Sequence, residues 1–242
     1  LGPQMTAQDL GFRIGPRINA AGRLAKDTSV IELVMERDPA TARDRASTLD
    51  QLNQKRRSIQ DRLVREAMAQ VKETPPDFAV LWGEESDGWH RGVVGIVAAK
   101  VRDQIHRPVA VVSIAGDEAR GSVRSIPAIH AVQALDSASD LLLAHGGHPA
   151  AAGVSILAKD LPELAERLNG YAATTTEESA WTPEVRIEAE IDSAAMSEAE
   201  TLAHSLQQSE PLQIIHLLRW SLNRASCPPQ PSNPPYGSSA HY

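Results

Sequence analysis

The sequence predicts an α/β fold, a helix-covered mixed β-sheet preceded by a long connecting helix and followed by a disordered C-terminal tail. Three observations carry that expectation. Between residues 39 and 71, Leu49, Leu52, Ile59, Leu63, Ala67 and Val71 recur at helical spacing with charged residues between them. From Phe78 onward, short valine-rich runs alternate with segments of helical period, and strands interleaved with helices form a sheet covered on its faces. Beyond Leu212 the periodicity gives way to a Pro- and Ser-rich stretch that cannot bury enough apolar surface to fold.

Taken in order, residues 28–36 read as a short helix, and Asp38-Pro39 opens the long one, because proline suits the first helical turn. About 33 residues at a rise of ~1.5 Å span roughly 50 Å, more than the width of a small domain, so this helix reads as a connector. Its basic run Lys55-Arg56-Arg57 reads as a solvated face. Strands are expected at 78–82, 108–114, 119–123, 152–157 and 185–191, and helices at 92–106, 129–144, 161–173 and 196–206. The resulting divisions are 1–37, the helix 38–75, an α/β domain over 76–208, and the tail 209–242.

Composition limits the function. With a net charge of −7, the chain is not one that coats nucleic acid over its whole surface, since that binding needs a basic footprint. Any contact must be local, with Arg13, Arg17, Arg23, Arg91 and Arg124 converging in one groove. No run of 18 apolar residues suggests a membrane span, and no signal segment opens the sequence, so a cytoplasmic protein without a membrane partner is expected. The single cysteine, Cys227, rules out an internal disulfide.

Three motifs carry chemistry. In His145-Gly-Gly-His-Pro-Ala-Ala-Ala-Gly153, placed where the 129–144 helix gives way to a strand, Gly146 and Gly147 let a ligand approach the backbone while His148 donates from its ring. A helix C-cap followed by a tight turn explains the same glycines. In Gly121-Ser-Val-Arg-Ser-Ile-Pro127, Arg124 offers a planar fork matched to phosphate, with Ser122 and Ser125 as single donors. In Gly88-Trp-His-Arg-Gly-Val-Val-Gly95, His90 and Arg91 sit on the first turn of a helix, a natural anion site. Trp89 is placed either to stack on a base or to pack against the core.

These motifs, in this order, resemble the RecJ family of single-strand-specific exonucleases within the DHH phosphoesterase superfamily, in the part that contains the DHH-associated domain. The run Phe12-Arg-Ile-Gly-Pro-Arg-Ile-Asn-Ala-Ala-Gly-Arg-Leu24 is similar to the segment that closes the family's catalytic domain. The resemblance covers about residues 10 to 212. It implies a 5′-to-3′ exonuclease acting on single-stranded DNA in repair and recombination, of which this chain is the substrate-binding half. Residues 1–37 are then the end of the catalytic domain, and Arg17, Asn19 and Arg23 hold the scissile region. Arg124, Ser125, Gly146, Gly147 and His148 grip phosphates, with Trp89 and His90 beside the strand. Repair or replication proteins are further expected partners.

The superfamily's hydrolysis uses two divalent ions, Mn2+ or Mg2+, on aspartates and histidines that include Asp-His-His. That motif is absent from this sequence, so the ions are expected on a missing N-terminal domain, with no metal, no catalytic residue and no hydrolysis in this chain alone. After Ser209-Glu-Pro-Leu212 the family continues into an oligonucleotide-binding barrel. Here the sequence departs from that pattern, which suggests a frameshift near Leu212 that sequencing of the gene would test. A DHH phosphodiesterase for short oligoribonucleotides or a cyclic dinucleotide, and a non-catalytic single-strand-binding module, are the other readings of these motifs.

Overall fold

The structure, a computed structural model, describes residues 6–24, 28–71 and 73–183. By its contacts the chain divides into two units, residues 10–185 and the two terminal segments 1–9 and 186–242. Of the terminal unit, residues 6–9 are described. They form one helical turn, α1 (Ala7–Asp9), capped where the Thr6 hydroxyl donates to the Asp9 carboxylate at 2.9 Å. The strand expected at 185–191, the helix at 196–206, the tail, the frameshift position, Trp220 and Cys227 all lie outside the described residues.

The larger unit opens with a π-helical turn (Leu10–Ile14) leading into α2 (Gly15–Leu24), then α3 (Ser29–Met35) and the long α4 (Pro39–Gln70). The start of α4 is fixed by Asp38, whose carboxylate accepts from the Thr41 N–H at 2.8 Å and the Thr41 hydroxyl at 2.7 Å, with Pro39 following it. Beyond connecting, α4 is a core element: it buries Leu49, Asn53, Gln60, Leu63, Val64 and Ala67, and its second half packs on α5 (Val94–Ile105) and β1 (Ala79–Glu84). Helix α2 docks on its first half, pinned by the Arg17–Asp50 ion pair at 2.8 Å.

The mixed sheet has the order β1-β2-β3-β5-β4, with β2 (Val109–Ala115) parallel to β1 and every other neighbour antiparallel. Strands β3 (Glu118–Arg124), β4 (Leu142–His148) and β5 (Ala151–Leu157) complete it. Because alternate residues of a strand face opposite ways, Val80, Val112, Ala119, Val123, Ala152, Val154 and Ile156 all enter one layer, under α6 (Ala131–Asp136) and α7 (Leu161–Thr175). On the other face Ala79, Leu81, Val109 and Val111 meet α4 and α5, and that apolar layer ends at β2.

The outer edge of β1 is capped by side-chain amides. Gln70 donates to the Trp82 carbonyl at 2.8 Å and accepts from the Trp82 N–H at 3.2 Å, while Asn169 accepts from the Phe78 N–H at 3.3 Å.

One expected element is different. Instead of a continuous helix over 129–144, α6 stops at Asp136, a 3-10 turn follows (Ser139–Leu141), and Leu142 begins β4. The apolar residues Ala134, Leu135, Ala138, Leu141 and Leu142 keep a helical spacing, yet the intervening Asp136, Ser137, Ser139 and Asp140 favour turns over helix interiors. No described helix is long and apolar enough to cross a membrane.

Candidate nucleic-acid interface

The change at 142–148 relocates the glycine-rich motif. Gly146, Gly147 and His148 lie within β4 and close a hairpin onto β5, rather than forming a helix-to-strand junction. The turn is held from both sides: the Pro149 carbonyl accepts from the Ala131 N–H at 2.8 Å and the Ala150 carbonyl from the Ser125 N–H at 2.9 Å. The two glycines do different things. Gly147 has φ +151°, and a Cβ there would overlap the Ala151 carbonyl and the Ala152 backbone, so the hairpin requires glycine. A Cβ on Gly146 would meet nothing within 4 Å, so there the missing side chain only keeps the surface open.

Register aligns the rest. Arg124, Ala151 and His148 occupy one row across β3, β5 and β4; Ser122, Gly153 and Gly146 form the next, and Arg120, Ser155 and Ala144 the one after. Directly opposed residues share a face, so arginines, hydroxyls, an imidazole and a floor of glycine and alanine all lie on the side that α6 and α7 leave open. With strands ~4.8 Å apart, the backbones of Arg124 and His148 are roughly 10 Å apart, within reach of neighbouring oxyanions on one polymer. Arg120 was not expected from the sequence. Its signal is the period of two that links it to Ser122 and Arg124.

The Arg124 guanidinium donates through Nη1 to the Ser122 hydroxyl and to the Val123 carbonyl, each at 2.7 Å. It lies against the first turn of α5, where a Cβ on Gly95 would come within 3.0 Å of its Nη2. Burial holds this guanidinium below its usual pKa range, and the nearby Arg102 and Arg23 add to the effect. No carboxylate within ion-pair distance offsets it among the described residues.

A wall of the groove comes from the loop before α5. Gly92 takes the place a side chain would need, because a Cβ there would overlap the Arg23 carbonyl at the end of α2. Arg23 in turn donates to the Gly92 carbonyl at 3.1 Å. His90 accepts from the Gly92 N–H through Nδ1 at 3.0 Å, which leaves Nε2 to carry the ring proton. Gly88, with φ +87°, is held by Arg62 of α4, which donates to the Asp87 and Gly88 carbonyls at 3.0 Å each. Arg23, Glu85, His90, Arg91, Arg120 and Ser122 contribute to the lining of a cavity of about 390 Å³ between these elements.

Several expected contacts are elsewhere. Trp89 is 4% exposed and packs over Gly83 in the apolar layer of α4 and α5, so its ring has no face to offer a base. Ser125 is 3% exposed, and its hydroxyl donates to the Ile129 carbonyl at 2.6 Å, which removes it as a phosphate donor. Arg17 is engaged with Asp50 and with the Arg13 carbonyl, so it serves the docking of α2. Asn19 is exposed on α2, outside the cavity lining.

Residues 76–174 match the DHHA1 domain family. The chain is 36% identical over 178 residues to the single-stranded-DNA-specific exonuclease RecJ of Bacillus subtilis, covering 73% of this chain, and 35% identical over 205 residues to that of Salmonella typhimurium, covering 80%. A crystal structure of RecJ from Thermus thermophilus in complex with Mn2+ superimposes over 87% of the chain with a TM-score of 0.75 and 32% identity. The chain belongs to the RecJ family. It spans 22% and 35% of the length of those two RecJ relatives and 31% of the Thermus chain. Thermus RecJ is also known in complex with Mg2+. Among the described residues no three His, Cys, Asp or Glu side chains come together as a metal would require. His145 and Asp136 do meet, at 2.7 Å, and this pair ties β4 to α6. These residues do not fit a divalent ion.

Proposed function

We propose that this chain holds the sugar-phosphate backbone of single-stranded DNA for a RecJ-type exonuclease that digests from the 5′ end in repair and recombination. The observation that supports it most directly is the row Arg124–Ala151–His148, with the open Gly146–Gly153 floor beside it. A guanidinium recognises phosphate through paired N–H bonds, the imidazole adds a further donor, and a glycine floor lets the polymer approach the sheet. Arg23 and His90 extend the contact along the cavity wall. Backbone contacts of this kind hold any sequence, and selectivity for a single strand comes from the narrowness of the groove, without a base-stacking tryptophan.

In this reading the Mn2+ or Mg2+ ions that activate water belong to a part of the protein upstream of this chain, which alone binds DNA without cutting it. Filter binding with matched single- and double-stranded oligonucleotides, run with Mn2+ and a nuclease readout, tests it. Retention of the single strand, weaker retention of the duplex and an intact label are expected. Equal retention of both, or no loss of binding in Arg124→Ala, defeats the reading.

A further inference from the structure

Among the described residues, two sets of arginines differ in what holds them. Arg17, Arg62, Arg102 and Arg167 each meet a carboxylate. Arg23, Arg56 and Arg124 are held by neutral oxygens: the Gly92 carbonyl, the amides of Asn53 and Gln60, and the Ser122 hydroxyl with the Val123 carbonyl. Neutral acceptors orient a guanidinium without cancelling its charge, so these three keep their attraction for an anion.

Arg56 is the one that no motif accounts for. Its Nη1 donates to Gln60 and its Nη2 to Asn53, both at 2.7 Å, and these two amides are only 4% and 2% exposed. The Gln60 amide is itself oriented, since its nitrogen donates to Asp61 at 3.1 Å and its oxygen therefore faces Arg56. Of the five guanidinium N–H bonds two are used, and the group is half-buried with the rest still able to donate. The Arg17–Asp50 pair fixes one point of contact between α2 and α4. Because α2 packs on α4, Arg23 near the end of α2 and Arg56 of α4 share one electrostatic neighbourhood. Burial, Arg57 and Arg23 all hold Arg56 below its usual pKa range, and Asp61 opposes them least. Arg23 acts on Arg124 as well, so it is the member common to both clusters.

We infer that Arg56, held by Asn53 and Gln60 and flanked by Arg57, is a second phosphate subsite, which takes the same single strand beyond the Arg124–His148 groove and carries it along α4. The inference rests on the groove being a polynucleotide site, and its test separates the two. Fluorescence anisotropy of the full chain is measured with oligothymidylates of two lengths, one short enough to fill only the groove and one several times longer. Arg56→Gln weakens the long oligomer about three- to ten-fold near 0.1 M salt, lowers its log–log salt slope by about 0.7, and leaves the short one unchanged.

Arg57→Gln shifts the long oligomer in the same direction, and it decides the matter if Arg56→Gln loses helicity by circular dichroism. Arg167→Gln, which removes the same charge from an ion-paired site, leaves both slopes as they are. If Arg56→Gln and Arg57→Gln match the parent at both lengths while Arg124→Ala weakens both, the second subsite is wrong and the groove stands. If Arg124→Ala also changes nothing, both fall. An equal loss in Arg167→Gln reduces the effect to general charge and overturns the subsite.

Discussion

On the face of the sheet under α6 and α7, alternate residues of β1, β2, β3 and β5 are apolar and buried, and Leu135, Leu161, Leu164 and Leu168 seal them. On the other face the apolar layer stops at β2, and β3, β5 and β4 present Arg120, Ser122, Arg124, Gly146, His148, Gly153 and Ser155. In β3 the odd positions therefore serve the core and the even ones the open face, and in β5 the parity is reversed. Period-two alternation makes this division possible: a strand can be fixed by one face while the other is left to bind.

The contrast can be broken or sharpened experimentally. The largest effect is on the sealed face, where Leu168→Ala removes a fully buried side chain; a loss of about 2–5 kcal/mol in urea unfolding is expected. Arg124→Ala on the open face should instead cost about 1.5–3 kcal/mol of single-strand binding by anisotropy, with the urea midpoint nearly unmoved. A large midpoint shift there would show that the open face is structural after all. The two adjacent glycines divide the same way. Gly147→Ala destabilises by about 1–3 kcal/mol through backbone strain, whereas Gly146→Ala keeps the melting temperature and weakens binding. Smallest is Asp136→Asn, which loosens the half-exposed pair with His145 and costs about 0.2–1 kcal/mol in stability, read by thermal melting.

Much of the fold was legible because burial imposes a period. The expected helices 39–71, 92–106 and 161–173 and the strands 108–114 and 152–157 lie within two residues of α4, α5, α7, β2 and β5. The 129–144 helix failed where an apolar run continued across two element types, and period alone does not separate a helix from the strand that follows it. That error moved Gly146-Gly147-His148 from a loop to a strand without removing His148 from the row of Arg124. At single residues the limit was different. Sequence identifies Trp89 and Ser125 as capable of stacking and donating, but whether the core has already claimed them depends on Gly83 and on Ile129, contacts that no local pattern encodes. The sequence places Arg56 on a solvated face, and the burial of the amides that hold it shows only in three dimensions.

The amides of Gln70 and Asn169 along β1 bear on how copies of this protein behave when crowded. A strand margin whose N–H and C=O groups stand unsatisfied is a template on which another chain can lay itself. Here Gln70 occupies both backbone groups of Trp82, as the next strand would, and Asn169 takes the Phe78 N–H. These side chains take up backbone groups at both ends of the strand margin, which shortens the stretch of β1 on which another chain could pair.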